Sequence, residues 1–413
     1  GLRGRLVSAP RGKGPGPVRM PMGSQPETRA RVVLAQCRDY SPHSVQSAVD
    51  DLLRELGGLA AYAPRGATVL LKPNLLSART PDEGVTTHPE VARALIRAVR
   101  AAGAHPVVAD SACHATQIER VWEQTGYKAL CAEEGVPLLN LEQAGSKEFR
   151  WQGFAYSVAK PVLEAGLVLN LPKLKTHLLT GLTNAVKNLF GTVPGYQKTL
   201  LHKQLPTPRL FGGLLADLYA RVRPGLTVCD AVIAMDGPGP SAGRLVPLGL
   251  LAASADGVAL DAGLCRLLRL SPKAVPYLAP LARAGQGIID PARIEWAGWR
   301  PESWPPQRFR MPRTSVFLNA VPAGPLQALG RFLWIRPSFT DACRRCGLCV
   351  RACPVRALAL PSDGGRPRLD ASRCIGCCCC HEICPHRAVV MARSGLLTVK
   401  DRVLKGLKRR TAS

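Results

Sequence analysis

Aromatic side chains are scarce in this chain: Phe, Tyr and Trp make up 5% of 413 residues. That is too few for a base-stacking platform, and no DNA- or RNA-binding motif is recognisable, so nucleic acid is not expected as a partner. Acidic residues are also few, 29 against 55 Lys and Arg, for a formal net charge of +26. The excess is densest at the ends: +6 over residues 1–31, +5 over 338–395 and +5 over 396–413, leaving +10 between. A run of about 18 apolar residues is absent, which excludes an obvious transmembrane helix. The nearest candidate, 316–335, is broken by Pro322, Pro325 and Arg331. The N-terminus lacks the apolar core of a signal peptide. Residues 1–30, rich in Gly, Pro and Arg, read as a disordered basic tail, with a start expected near Met20 or Met22.

What is present begins with an alternation. Residues 31–36 read as a strand, and Ser41-Pro42 then opens a helix with Val45, Val49, Leu52, Leu53 and Leu56 at helical spacing. Residues 67–71 form a β-rich apolar run followed by Lys72-Pro73-Asn74. Thr87-x-x-Glu90 reads as a capping box for a helix with Val91, Leu95, Ile96 and Val99 inward. Strand-like runs recur at 106–109, 136–140, 166–171, 226–234 and 246–252. The fold class expected is α/β, a largely parallel sheet with flanking helices over 31–297. Ligands of such sheets sit beyond the carboxyl ends of the strands. Lys72/Asn74, Asp110/Ser111, Lys173 onward and Asp236 onward all fall there. The Pro-rich 298–337 reads as a linker. The basic tail 396–413 reads as a peripheral membrane helix or as a helix docked on the protein with a solvated basic face.

Ten of the 15 cysteines lie between 343 and 384. That clustering is metal-site usage rather than a disulfide framework, and a cytoplasmic location is expected. Two runs share one spacing: Cys343-x-x-Cys346-x-x-Cys349-x-x-x-Cys353-Pro and Cys374-x-x-Cys377-x-x-Cys380-x-x-x-Cys384-Pro. Two-residue gaps wrap backbone around a cubane, and a zinc ion would need only four ligands. The runs resemble bacterial two-cluster ferredoxins, and that resemblance adds a small α+β ferredoxin-like domain at 338–395. The resemblance implies one 4Fe–4S cluster on Cys343, Cys346, Cys349 and Cys384, and another on Cys374, Cys377, Cys380 and Cys353. Arginines in this stretch would offset the negative charge of the clusters. Cys378 and Cys379 are extra, and packing is the role expected of both.

In the large domain, Asn170-Leu-Pro-Lys-Leu-Lys-Thr-His177 precedes Thr180-Gly-Leu-Thr-Asn-Ala-Val-Lys-Asn-Leu-Phe-Gly191. The spacing predicts a helix over 178–190 that buries Leu178, Leu182, Ala185, Val186, Leu189 and Phe190. Its other stripe, His177, Thr180, Gly181, Asn184, Lys187 and Asn188, has no acid, unlike an ordinary solvated face. Lys72, Lys173, Lys175 and Lys187 can form a cationic pocket for a carboxylate or phosphate, with Asn74, Asn184 and Asn188 orienting it. His177 and Lys175 are the catalytic candidates, His177 because imidazole titrates near neutral pH. Asp230, Asp236, Asp256 and Asp261 can bind a divalent metal, pair with the lysines or cap helices, and Cys113 is a weaker nucleophile candidate.

Lys72-Pro-Asn74, Thr86-Thr-His-Pro89, Lys173-Leu-Lys-Thr-His177 with Lys187-Asn188, Asp236-Gly-Pro-Gly-Pro, and Ser254-Ala-Asp256 with Asp261 resemble the domain-of-unknown-function family 362. Members often carry a C-terminal ferredoxin module, and the family's reaction is unassigned. Electron transfer or oxidoreduction is expected, acting on a small anionic substrate or with a redox partner protein. The alternatives are a non-redox ligand-binding enzyme with structural or sensing clusters, and a ferredoxin-type subunit of a larger redox complex.

Overall fold

The computed structural model describes residues 29–112, 118–300, 309–312 and 334–395. The basic tails, most of the expected linker and Cys113 lie outside them.

A ten-stranded sheet forms the frame. Its main path runs Ile294–Gly298, Ala30–Gln36, Arg244–Ser254, Leu226–Asp236, Leu167–Leu171, Thr68–Pro73, His105–Asp110, Leu138–Asn140. Neighbours are parallel except where Arg244–Ser254 runs against both of its own. Strand alternation divides the core into two layers. Val33, Val69, Leu71 and Leu169 face the layer that covers helices Pro42–Glu55 and Pro89–Ala101. Val32, Leu34, Leu70 and Val168 face the layer under Pro208–Val222 and Gly257–Leu267. Burial on both faces is why these strands read as continuous apolar runs.

Two local expectations are corrected. Helix Pro89–Ala101 is capped by His88, whose ring accepts from Glu90 N–H. Thr87 Oγ1 instead accepts from Asn74 N–H and donates to the Leu171 carbonyl, tying two strand ends together. The helix over 178–190 does not form. Lys173–His177 is a strand paired with Gly181–Thr183 in a hairpin, and helix begins only at Ala185–Asn188. The segment is buried on every side, so no solvated stripe exists to orient a helix. Gly181, at φ +75°, makes the return, and a Cβ there would lie 2.8 Å from the Ala274 carbonyl.

The C-terminal part consists of two similar halves. Ile335–Phe339 pairs antiparallel with Val389–Arg393, and Leu358–Ala359 with Arg368–Leu369. Short helices at Leu348–Arg351 and Cys379–Ile383 carry the middle of each cysteine run. Gly347 and Cys378 occupy matching positions before these helices, both left-handed, at φ +72° and +66°. Polar bonds tie this part to the sheet's carboxyl edge. Arg79 donates to the Cys384 carbonyl at 2.6 Å, Ser241 to the Glu382 carbonyl at 2.8 Å, and His381 Nε2 lies 2.9 Å from the Pro238 carbonyl.

Candidate functional site

Four strands end at one edge, and the residues just past them meet. Lys72 lies 2.7 Å from Asp110 on the neighbouring parallel strand, both buried. Burial lowers the Lys72 ammonium below its ordinary value, and Asp110 opposes that shift. Gly191 lets them meet, since a Cβ there would lie 2.4 Å from Asp110 Oδ1 and 2.6 Å from Lys72 Nζ. Asn74 donates to Asn188 Oδ1 at 2.9 Å, and Asn188 donates to Asn170 Oδ1 at 2.8 Å and to the Lys72 carbonyl at 3.2 Å. Lys175 donates to Asn74 Oδ1 at 3.0 Å and to the Val85 carbonyl. Among the described residues no carboxylate touches it, and burial, with Lys187 and Lys173 nearby, holds it well below the usual lysine range.

His177 accepts the Leu179 and Thr180 amides at Nδ1, at 3.1 and 3.2 Å. That leaves the proton on Nε2, which points to Glu382 Oε1 at 3.0 Å. Burial and then Lys187 push His177 down to about 4, outweighing Glu382. Burial alone would raise Glu382, but His177 and Lys187 hold its carboxyl well below the usual range. The pair is therefore a neutral imidazole set against a carboxylate at 3.0 Å, without hydrogen-bond geometry between Nε2 and Oε1. With Nδ1 filled by two backbone amides, the ring offers no ready lone pair for a substrate proton in this arrangement.

These groups wall a cavity that is open to solvent. Of the residues expected there, Lys72, Asn74, Lys175, His177, Lys187 and Asn188 line it. Lys173 does not: it pairs with Asp230 at 2.9 Å and with Tyr40, under the sheet edge. The other aspartates hold backbone or arginine. Asp236 pairs with Arg244, Asp256 caps helix Gly257–Leu267, and Asp261 accepts the Ala185 and Val186 amides. Sequence reasoning missed Lys198, Thr183, His202, Cys379 and Glu382 in the lining. Lys198 donates to Ser111 and to the Ala112 carbonyl, and Lys187 lies over the Phe190 and Phe211 rings. The apolar wall is Leu75, Leu76, Phe190, Pro240 and Ala352. Ala352, Cys379 and Glu382 belong to the cysteine-rich part, so the cavity lies at the junction.

The cysteines form two cages. Cys343, Cys346, Cys349 and Cys384 line one small cavity. Cys353, Cys374, Cys377 and Cys380, with Cys378, line another. The halves match in detail: Ala357 N–H donates to Cys353 Sγ at 3.2 Å, and Ala388 N–H to Cys384 Sγ at 3.3 Å. Burial, then the charges of Cys384, Cys346 and Cys343, raises the Cys349 thiol to about 11. Four cysteines lining each of two neighbouring cavities are the donor set of a 4Fe–4S cluster, so the residues fit one cluster in each cage. Cys349 also acts on Cys380 across the two cages, which are neighbours. Among the described residues no helix is long and apolar enough to cross a membrane.

Fold and cages together define an iron–sulfur protein in which an α/β domain shares a cavity with a dicluster module. Residues 69–266 match the domain of unknown function DUF362, and 338–385 match a 4Fe-4S dicluster domain. A thylakoid-associated protein of Synechocystis sp. is 33% identical over 301 residues, 68% of this chain and 91% of that protein. The chain belongs to the DUF362 family. Indolepyruvate oxidoreductase subunit IorA of Archaeoglobus fulgidus is 44% identical over 57 residues, 13% of this chain and 8% of that protein. Among solved structures, the lactate racemase apoprotein of Thermoanaerobacterium thermosaccharolyticum aligns with 60% of this chain and 59% of its own, at TM-score 0.39 and 12% identity.

Proposed function

We propose that this protein is a redox enzyme whose junction cavity binds a small organic anion. One observation carries the reading: a single cavity is walled by lysines of the α/β domain and by Ala352 and Cys379, the neighbours of Cys353 and Cys380. Two 4Fe–4S clusters, when bound in the cages, supply one-electron transfer. Cys343, Cys346, Cys349 and Cys384 would hold the first, and Cys353, Cys374, Cys377 and Cys380 the second.

The chain's own groups do the binding. Asp110 neutralises Lys72 and His177 faces Glu382, while Lys187 and Lys198 keep the cavity net positive. Its apolar wall suits a carboxylate with a hydrocarbon or aromatic body. Lys175, held toward the neutral amine, serves as a base or hydrogen-bond donor rather than a fixed positive charge.

Anaerobically reduced protein mixed with a panel of such carboxylates, 2-oxo acids included, is the direct test. The right ligand reoxidises the protein, and Lys187→Gln weakens its binding about tenfold to a hundredfold, as loss of a charged hydrogen bond would, with iron and sulfide content retained. If no member of the panel binds, or Lys187→Gln binds as tightly as the parent, the cavity is not the substrate site.

A further inference from the structure

The two cages differ in what surrounds them. The wall of the second is apolar apart from its cysteines, formed by Pro337, Val355, Ile375 and Met391 among others, and holds no basic side chain. Arg336 acts on Cys374 only from outside that wall. The first cage is walled by Arg344, Arg345 and His386. Each cage has two buried cysteines, Cys349 and Cys384 in the first and Cys377 and Cys380 in the second; Cys343, Cys353 and Cys374 are half-buried, and Cys346 of the first cage alone among the eight is exposed.

Arg344, Arg345 and Arg351 are all exposed, and Arg351 donates to the Cys346 carbonyl at 3.4 Å. None of the three has a carboxylate partner among the described residues. Asp341, the acid nearest them in the chain, is engaged by Arg366. Offsetting cluster charge does not explain the placement, because the second cage would carry the same charge and has no arginine in its wall. Ala352 and Cys379 of the junction cavity are chain neighbours of Cys353 and Cys380 in the second cage, while the first cage carries exposed Cys346 with Arg344 and Arg345 in its wall.

We infer that the arginine surface over the first cage docks an acidic electron-carrier protein, an inference that rests on the redox reading above. The carrier reaches the exposed Cys346 side and passes one electron at a time. It is oxidised and this protein is reduced, and no bond is made or broken. Complementary charge raises the encounter rate and orients the partner. Leu360, 43% exposed beside Gly347, supplies one apolar contact at the rim. A lipid surface is the poorer fit, since one leucine is not an apolar face.

The test uses the full-length, cluster-loaded protein with an acidic two-iron ferredoxin as probe and a basic cytochrome c as the opposite-charge control. Binding is measured by titration, and electron exchange by stopped flow, with rates normalised to iron and sulfide content. Going from about 0.1 M to about 1 M salt shortens the screening length from about 10 to about 3 Å. We expect ferredoxin exchange to slow about tenfold or more over that range. The double variant Arg344→Glu/Arg345→Glu should weaken ferredoxin binding by a similar factor at low salt and improve that of cytochrome c. Arg373→Glu, beside the second cage, should change neither. Equal binding by parent and double variant would overturn the inference. So would loss of binding only to phosphatidylglycerol vesicles, which would make the patch a lipid contact. If ferredoxin binding shows the expected charge dependence but no carboxylate reoxidises the protein, docking stands and the cavity reading fails.

Discussion

An ammonium group buried away from water keeps its proton best where a carboxylate answers it. Lys72 and Lys173 have that answer in Asp110 and Asp230, and Lys175 does not. Truncating the two kinds should therefore cost differently. Lys72→Met leaves Asp110 charged and buried and should cost about 3–5 kcal/mol. Lys175→Met leaves only a neutral amide and a carbonyl short of a donor and should cost about 1–3 kcal/mol. Urea unfolding of both variants checks the order, and a reversed order would mean that Lys175 carries a full charge. Gly191→Ala should resemble Lys72→Met, because its methyl occupies the space where the pair meets. The lysines were legible because Lys72 and Asp110 each stand at the carboxyl end of an apolar run. Their pairing was not, since Lys72 could equally have met a ligand, and strand order decides which acid stands beside it.

Among elements, the hairpin at 173–183 is the chief departure from the sequence pattern. Leu178, Leu182, Ala185, Val186 and Leu189 have helical spacing, but in a segment with no exposed face a spacing of apolar residues orients nothing. Gly181 is the residue that permits the alternative, being left-handed and pressed against the Ala274 carbonyl. Gly181→Ala should cost about 2–3 kcal/mol, from the left-handed penalty and the lost approach. A drop in the urea midpoint without a change in slope would show this, and an unaltered midpoint would mean that the hairpin tolerates a side chain. Strands with two buried faces, by contrast, were legible as apolar runs, and the Ser41 cap before Pro42 was read correctly. The cap at His88 was missed because Thr87 and Glu90 mimic a capping box, while Thr87 is drawn away to Asn74 and Leu171.

Over the whole molecule, acid should act through buried histidines. His202 stacks on Phe211, and burial pushes it down to about 3 from 6.5. Between those values the unfolded chain binds the proton and the folded chain refuses it, so stability falls as pH drops from 6.5 toward 3. Asp261 works in the opposite sense. Burial raises it to about 7 from 3.8, so its contribution is present at low pH and fades as pH climbs through that window. His202→Phe keeps the stacking and removes the titration. It should lose less stability than the parent on acidification to about pH 4, by on the order of 1–3 kcal/mol. Parallel losses in both proteins would rule His202 out as an acid-sensitive group. The cysteine cages were legible as spacing alone. The shared wall was not, because Glu382 and Cys379 reach the cavity only through tertiary packing.

Glu382 stands two residues from Cys380 and two from Cys384, one cysteine of each cage, and its carboxylate meets His177 of the other domain. A chimera given a foreign ferredoxin module could still carry electrons, yet it would bring no such side chain to the seam. The recipient's recess would then be breached on one side, and its selectivity for guests would change although none of its own residues had been altered.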